Sequence, residues 1–562
     1  MEKKPLVLEI DLSLGLLDAA PQDPLTALRA RNTPRLSHIV SGLRHAATDD
    51  DVVALVIHLT PMIRAAEADE LAIALRSFRA AGKQVIAWTE SFGELGPGTL
   101  PYYLATAADQ IWMQPSGTLG LQGIGLDVAT VRGVLDKIGA DPQIGQRHEY
   151  KTAAEMYTST EISEPNREMT GRMCASITEQ VIAATAAARA VSADQVAEAM
   201  TIAPLTAEEA LDRHLVDHLG YRGDVYRSVR DTYGVRDHDD DDDHAQPEIR
   251  LLFAHRYARS LPKQAVIMAK RRRSPIIAVV DVQGAIVTGR GHGQLPTQRP
   301  QAGSDLVVAA LRSAAENDSV RAVVLRVDSP GGSYVASDAI RDAVLRVKLT
   351  GRPVIVSMGS LAASGGYFVS MAADRIVALP STLTGSIGVL GGKVVIKETL
   401  SRIGITREAI GSESATMFSS NRRFADDEWT RVEGWLDAVY SDFTHKAADD
   451  RGIDYPDLEA VARGRVWTGA DALQRGLVDE LGGLRTAVEL ACHRVGTDID
   501  HVRVQQFPQL PMLTRLKPAE STESLADAVI SGPPMGLLET LTTALGVQQA
   551  GVLALPWRFR FS

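Results

Sequence analysis

Residues 320–333 read VRAVVLRVDSPGGS, an apolar run rich in β-branched residues that stops at a turn made of Pro330, Gly331 and Gly332. Such a run is typical of a strand that is buried on both faces of a sheet. The stretch SDAIRDAVLRVKL at 337–349 reads as a helix, and the apolar run PVIVSM follows it. Alternating strands and helices predict an α/β fold, with a parallel sheet covered by helices. In such sheets the functional loops lie at the carboxyl ends of the strands.

The chain carries an internal repeat. Five segments of the first half match five segments of the second half in the same order, and the spacing drifts slowly, as small loop insertions produce. We therefore interpret the chain as two copies of one unit of roughly 230 to 250 residues. The matched segments are LVLEID 6–11 with IIAVVD 276–281, VVALVIHL 52–59 with VRAVVLRV 320–327, AGKQVIAW 81–88 with TGRPVIV 350–356, LATAADQIWMQPSG 104–117 with VSMAADRIVALPST 369–382, and LTAEEALDRHLVDHLG 205–220 with WTGADALQRGLVDELG 467–482.

The repeat predicts the domain organisation. We expect an N-terminal repeat over 1–235, an acidic linker over 236–265, a C-terminal repeat over 266–507 and a tail over 508–562. The linker contains RDHDDDDDHAQPE at 236–248, and a run of aspartates repels itself and stays solvated. Its two histidines have no spacing that defines a coordination geometry, so we expect no metal site and no cofactor.

Composition excludes several classes of protein. The 562 residues include 59 Lys and Arg against 70 Asp and Glu, a net charge of −11. This acidic balance argues against a nucleic-acid partner, which would need a basic surface. The two cysteines are too few for a disulfide scaffold or a Cys-based zinc site. No window has the apolar length of a signal peptide or a membrane span, so we expect a cytoplasmic or peripherally membrane-associated chain.

The two copies differ in their glycine-rich loops. The second copy has VDSPGGS at 327–333 and GSLAASGGYFVSMAAD at 359–374, whereas the first copy has no glycine in HLTPMIR and has Thr99 near the place of Ser364. Small neighbours leave the Ser364 hydroxyl accessible, and adjacent backbone N–H groups can stabilise an oxyanion. A serine that only caps a helix is the plain alternative. The concentration of both loops in one copy favours a nucleophile.

A serine nucleophile needs a base. The first copy has Lys151 in QRHEYKTAAEMY, and its counterpart in the second copy is Thr416 or Met417. One copy therefore has the serine and the other the lysine, which predicts a composite site shared across the repeat. His148 is a competing candidate base. A lysine acts as a base only when neutral, and lowering its pKa from about 10.4 to about 7 costs on the order of 4 to 5 kcal/mol, which burial can supply.

The strings VDSPGGS, AASGGYFVSMAAD, PSTLTGSIGV, EYKTAAE and VWTGADALQRGLVDELG resemble the signal peptide peptidase A (protease IV) family in its long, two-repeat form. The resemblance covers about 6–500. It implies a crotonase and Clp-protease-like ββα superhelix and a serine endopeptidase that degrades cleaved signal peptides. It further implies a homotetramer and, in long-form members, an N-terminal membrane anchor, whereas this chain begins at its first strand.

The resemblance also implies residue roles. Ser364 would be the nucleophile, Lys151 the general base and Ser386 the group that orients the lysine amine. Gly332 and Gly365 would donate the oxyanion N–H groups. Two alternatives stay open at the level of sequence: an acyl-CoA enzyme of the crotonase type, and a silent scaffold that binds peptides without cleaving them.

Overall fold

The computed structural model describes residues 4–17, 32–60, 62–94, 96–236, 247–260, 274–291, 301–408, 410–508 and 553–554. The chain divides into two compact units. The first contains Met1–Gly125 and Cys174–Lys270, and the second contains Leu126–Met173 and Arg271–Phe559. The segment with Lys151 therefore groups with the C-terminal half. The acidic run at 237–244 and nearly all of the tail lie outside the described residues.

The strands are short and most of them are parallel. In chain order they are β1 (Leu6–Asp11), β2 (Val52–His58), β3 (Gln84–Thr89), β4 (Gln110–Met113), β5 (Thr118–Leu119), β6 (Asp141–Gln146), β7 (Leu205–Thr206), β8 (His218–Leu219), β9 (Arg250–Phe253), β10 (Ile276–Gln283), β11 (Ala285–Val287), β12 (Gln301–Gly303), β13 (Val320–Ser329), β14 (Gly331–Gly332), β15 (Val354–Ala363), β16 (Arg375–Ala378), β17 (Leu383–Gly385), β18 (Leu390–Val395), β19 (Val466–Thr468), β20 (Glu480–Leu481), β21 (Arg503–Phe507) and β22 (Leu553–Ala554).

Helices connect the strands. In chain order they are α1 (Leu36–Ala47), α2 (Ala65–Ala80), α3 (Thr99–Ala105), α4 (Arg132–Ile138), α5 (Glu155–Thr158), α6 (Glu164–Arg189), α7 (Ala193–Ile202), α8 (Ala207–Asp212), α9 (Arg222–Tyr233), α10 (Ala254–Ser260), α11 (Ser304–Glu316), α12 (Tyr334–Leu349), α13 (Gly365–Ser370), α14 (Lys397–Arg402), α15 (Asp426–Arg451), α16 (Tyr455–Val461), α17 (Gly469–Gln474) and α18 (Leu484–Arg494). None of the helices in the described ranges combines the length and the apolar character that crossing a lipid bilayer requires.

Each unit contains a sheet with the same strand order. The first sheet runs β8-β4-β3-β2-β1-β9, and the second contains the matching path β20-β16-β15-β13-β10-β21. Neighbouring strands along both paths are parallel. The repeated order confirms the predicted α/β fold with two repeats.

The two copies also share a buried hydrogen bond between a tyrosine hydroxyl and a backbone carbonyl. The Tyr102 hydroxyl donates to the Leu215 carbonyl at 2.8 Å in the first unit, and the Tyr367 hydroxyl donates to the Leu477 carbonyl at 3.1 Å in the second. A buried hydroxyl without a partner destabilises a fold, so in each copy this hydrogen bond satisfies the buried tyrosine. The duplication therefore preserves side-chain contacts as well as strand order.

The central strands are apolar because helices cover both of their faces. In β13 and β15 most residues are buried, including Val323, Val324 and Leu325 of β13, which are fully shielded from solvent. Alternate residues of these strands pack into two separate apolar clusters, one on each side of the sheet. This burial explains the near-continuous β-branched runs that dominate the sequence.

The carboxyl ends of three strands meet at one edge of the second sheet. Ser329 of β13 pairs with Ala362 of β15, and Ala363 of β15 pairs with Gly385 of β17, in parallel register. The residues that follow these strand ends therefore start from adjacent positions. Strand β14 follows β13, Ser364 follows β15 and Ser386 follows β17. These three positions form the framework of the site.

Candidate functional site

Ser364 lies at a strained junction between β15 and α13. Its backbone has φ 57° and ψ −114°, a left-handed conformation that is costly for a residue with a side chain. Its N–H donates to the Gly385 carbonyl at 2.8 Å, and its carbonyl accepts from the Phe368 N–H at 2.9 Å. Strain of this kind, held by surrounding hydrogen bonds, is typical of a serine that is presented at a sharp strand-to-helix turn.

The glycines beside Ser364 permit a close approach of two backbones. A Cβ atom on Gly365 would lie 3.0 Å from the Gly332 nitrogen and 2.7 Å from the Ser337 hydroxyl oxygen. A Cβ atom on Gly332 would lie 2.0 Å from the Ile286 carbonyl oxygen. A side chain at position 332 would therefore collide with the Ile286 backbone, and one at position 365 would force the Ser337 hydroxyl and the neighbouring backbone to shift. The two glycines predicted from sequence are adjacent in space and flank Ser364.

The Lys151 side chain is buried and lies against both serines. Its amine nitrogen is 2.9 Å from Ser364 Oγ, 2.9 Å from Ser386 Oγ and 3.0 Å from the Ser386 carbonyl oxygen. The residue is 1% exposed. Its stem passes Gly388, where a Cβ atom would lie 3.1 Å from Lys151 Cδ. The contact with Ser364 falls within the predicted range of about 2.6 to 3.2 Å.

Burial lowers the pKa of Lys151 from its ordinary value to about 7. The nearby carboxylates are engaged elsewhere. Glu149 forms an ion pair with Arg463 at 2.9 Å, and Glu155 accepts a hydrogen bond from the Asn166 side chain at 2.9 Å. A carboxylate beside the amine would favour the charged form and raise its pKa. The site therefore holds a lysine that loses its proton near neutral pH.

His148, the competing candidate base, has a different neighbour. Its ring centroid is 4.3 Å from that of Tyr440. Burial lowers the pKa of His148 from its ordinary value. The structure thus brings together Ser364, Lys151 and Ser386, with Gly332 and Gly365 alongside, and it places the His148 ring against an aromatic residue.

Sequence reasoning missed a turn that supports this cluster. The Arg463 carbonyl accepts from the Tyr150 N–H, the Gly464 N–H donates to the Ile387 carbonyl, and the Arg465 carbonyl accepts from the Ser386 N–H. A signal was available, because the aligned residues 201–203 of the first copy read Thr-Ile-Ala where the second copy reads Arg-Gly-Arg. This glycine is specific to the copy with Ser364, as Gly332 and Gly365 are.

The chain is similar to known peptidases. The family model described as peptidase family S49 matches twice, at residues 77–236 and 346–498, and the Clp protease model matches residues 287–384. A solved structure of a ClpP1 mutant from Listeria monocytogenes is 15% identical, with a TM-score of 0.24 over 40% of this chain and 98% of that chain.

Curated relatives cover most of the chain. Protease 4 of Salmonella typhi is 31% identical over 81% of this chain and 71% of its own length. Protease 4 of Haemophilus influenzae is 27% identical over 94% of this chain and 83% of its own. Serine protease SPPA, chloroplastic, of Arabidopsis thaliana is 27% identical over 90% and 72%.

The fold, the twofold match and these relatives define a hydrolase that cleaves peptide bonds with a serine. The chain belongs to peptidase family S49, and within it to the signal peptide peptidase A, or protease 4, type. Membership in this peptidase family rules against the two alternatives left open by the sequence, an acyl-CoA enzyme and a scaffold without catalytic activity.

The lowered pKa of Lys151 predicts a pH-dependent stability. The unfolded chain has the ordinary lysine pKa of about 10.4, so between about pH 7 and that value the unfolded state binds more protons than the folded state. The penalty for burying the amine is complete below pH 7 and is relieved as pH rises, with a slope approaching about 1.4 kcal/mol per pH unit. Between pH 7.5 and 8.5 the free energy of unfolding of the wild-type chain should therefore rise by about 1 kcal/mol relative to that of Lys151→Met, as measured by urea unfolding.

The same substitution at the exposed Lys397 controls for the loss of a lysine. A wild-type minus Lys151→Met difference that stays constant from pH 6.5 to 8.5 contradicts a lowered pKa.

Proposed function

We propose that the chain is a Ser-Lys endopeptidase that degrades cleaved signal peptides and other hydrophobic peptides through an acyl-enzyme. One observation carries the proposal: the buried Lys151 amine lies 2.9 Å from the hydroxyl oxygen of Ser364. A neutral amine has one lone pair and two N–H groups. The Ser386 carbonyl can only accept, so it takes one N–H, and Ser386 Oγ takes the second. The lone pair then faces Ser364 and accepts its proton.

The chemistry follows from this arrangement. Lys151 removes the proton from Ser364 Oγ while that oxygen attacks the carbonyl carbon of the scissile peptide bond. The backbone N–H groups of Gly332 and Gly365 stabilise the oxyanion, and a single such donor is typically worth about two to three decades in rate. Lys151 then protonates the leaving amine, which breaks the C–N bond and leaves an ester on Ser364. Water attacks the ester with Lys151 again as base, and the serine is restored.

The substrate class rests on the type of peptidase to which the chain belongs. A relative from Enterococcus faecium, 28% identical over 38% of this chain, is described as a putative signal peptide peptidase SppA. Apolar peptides with small or aliphatic residues near the cut are the substrates we propose. The tetrameric assembly stays a prediction of the resemblance, and the peripheral membrane contact stays a prediction of the sequence.

An active-site label tests the dyad. A fluorophosphonate should modify wild-type protein at Ser364, and the modified peptide identifies the residue by mass spectrometry. Ser364→Ala should abolish the labelling, and Lys151→Ala should slow it by about a thousandfold, since the serine loses its base. His148→Asn is the matched control, because asparagine tolerates the φ of 62° at that position.

His148→Asn should label at a rate close to that of wild type. Labelling that survives in Lys151→Ala and is lost in His148→Asn would transfer the role of base to the histidine and refute the dyad.

The pH profile gives a second test. Because Lys151 must be neutral to act as a base, kcat/KM for a hydrophobic peptide should rise with pH and level off above the pKa of about 7. At pH 6 the value should be about tenfold below the plateau. His148→Asn should retain this acid limb. A profile that is flat from pH 5.5 to 9, or a limb that disappears in His148→Asn, contradicts the assignment of Lys151.

A further inference from the structure

The turn at 463–465, which joins α16 to β19, contacts two separate segments of the site. The Arg463 carbonyl accepts from the Tyr150 N–H at 3.2 Å, and the Arg465 carbonyl accepts from the Ser386 N–H at 2.7 Å. One turn thus binds, through its main chain, both the residue directly before the lysine and the serine that contacts the lysine amine.

The middle residue of the turn packs against the backbone of the lysine. Gly464 has a φ of 86°, and a Cβ atom there would lie 2.4 Å from the backbone nitrogen of Lys151 and 2.6 Å from its Cα. The Gly464 N–H donates to the Ile387 carbonyl at 2.7 Å. A Cβ atom on Gly388 would lie 2.8 Å from the Gly464 Cα and 3.1 Å from Lys151 Cδ. The turn, the lysine segment and the segment after Ser386 therefore meet without room for another carbon atom between them.

Backbone strain is concentrated around the same contact. In the described part of the chain six residues other than glycine have a positive φ, and four of them lie in the site or in the segments that the turn joins. The four φ angles are 57° at Ser364, 51° at Ser386, 62° at His148 and 53° at Arg463. Such conformations persist only where the surrounding structure holds them. The hydrogen bonds of the turn supply part of that restraint.

The flanking arginines add side-chain contacts to the same connection. Arg463 forms two hydrogen bonds of 2.9 Å with the Glu149 carboxylate, and such paired contacts fix orientation as well as distance. The Arg465 guanidinium lies 4.6 Å from the centre of the Tyr150 ring and pairs with Glu168. The Tyr150 hydroxyl donates to the same Glu168 carboxylate at 2.7 Å. The turn therefore holds both residues that directly precede the lysine.

We infer that the turn at 463–465 is a positioning device, which holds the Lys151 amine at hydrogen-bond distance from Ser364 and Ser386. The inference deepens the proposed function and rests on it, because it assigns to the turn the placement of the general base. The contacts of Gly464 are with main-chain atoms, so the turn positions the base and takes no part in bond making. Displacing it would move the amine away from its oxygen partners and admit water, which affects the chemical step rather than peptide binding.

A pair of glycine variants tests the positioning role. Gly464→Ala should lower kcat for a hydrophobic peptide by about a hundredfold at an unchanged KM, because the new methyl group displaces the Lys151 backbone. The acid limb of the pH profile should move to higher pH by at least about 0.5 unit, since a less buried amine recovers part of its ordinary pKa.

Gly351→Ala is the matched control for backbone strain. Gly351 has a φ of 79°, and a Cβ atom there would have nothing within 4 Å. The control therefore carries the same conformational cost without a displaced neighbour. Its kcat and its acid limb should be those of the wild-type chain.

Arg463→Asn tests the side-chain contacts and serves if Gly464→Ala does not fold. Asparagine tolerates the φ of 53° at that position. The loss of the Glu149 pair should lower kcat about tenfold and move the limb to higher pH, because a released carboxylate near the amine favours its charged form. Arg463→Lys keeps the charge and should restore part of kcat. Arg346→Asn removes an exposed ion pair with Asp342, and as the matched control it should change neither quantity.

A titration of the amine separates this inference from the proposed function. In a Ser364→Ala background, NMR of lysine labelled with ¹³C at Cε follows the protonation of Lys151, whose signal is identified by its loss in Lys151→Met. The midpoint should rise by at least about 0.5 unit when Gly464→Ala or Arg463→Asn is added, and it should stay in place with Gly351→Ala. This measurement does not require catalysis.

The outcomes are distinct. A shifted midpoint in a chain whose wild type cleaves no peptide supports the positioning role and refutes the proposed function. Folded variants of Gly464 and Arg463 that keep the wild-type kcat, limb and midpoint overturn the positioning role. A lowered kcat with an unmoved limb and midpoint also overturns it, because a general loss of structure would have the same effect.

Discussion

The burial of one amine against two serines is the constraint on which the rest of the site depends. Lys151 is 1% exposed, and its nitrogen has three oxygen atoms within 3.0 Å. Holding an amine at a pKa of about 7 instead of its ordinary value means that the fold disfavours the charged form by roughly 4 to 5 kcal/mol. The packing of the second unit has to supply that free energy, and neighbouring carboxylates have to be kept away from the amine, because they would favour its charged form.

The arrangement of charges around Lys151 follows from this requirement. Glu149 and Glu155 are close in sequence, and either carboxylate beside the amine would restore its charge. The structure directs Glu149 to Arg463 and Glu155 to Ser163 and Asn166. The ion pair of Glu149 therefore does two things, because it removes a carboxylate from the amine and attaches the lysine segment to the turn at Gly464.

The sequence predicted the α/β fold from its periodic pattern, and the comparison of its two copies drew attention to Ser364 and Lys151. Buried parallel strands are continuous apolar runs, and the repeat made each copy a control for the other, which singled out Ser364 and Lys151. The other features leave no such signal. The turn at 463–465 acts through backbone carbonyls, and β22 is only two residues long, so neither has a period. The grouping of 126–173 with the second unit depends on long-range pairing, which one sequence does not display.

That long-range pairing explains how a lysine from the first copy reaches a serine of the second. β6 pairs with β18 in antiparallel register from Asp141 opposite Val395 to Gln146 opposite Leu390, and Lys151 follows a few residues later. A slip of two residues would move Lys151 by about 7 Å, beyond the reach of a hydrogen bond. The register has specific restraints: a Cβ atom on Gly392 would lie 2.0 Å from the Gln143 carbonyl oxygen, and the Gln143 side chain accepts from the Phe424 N–H at 2.7 Å.

Strand register is weakly specified where neither face carries a strict apolar pattern, and β6 has one buried residue among six. Its restraints therefore have to come from polar and steric contacts of individual residues. Arg147, directly after β6, supplies another: its N–H donates to the Val389 carbonyl at 3.0 Å, and its guanidinium donates to the Glu433 carbonyl at 2.6 Å. The position of Lys151 is thus determined by the pairing of two strands, one from each copy, and only then by the oxygen atoms around its amine. A duplication that divides a site between its copies depends on such a register, because neither copy holds both groups.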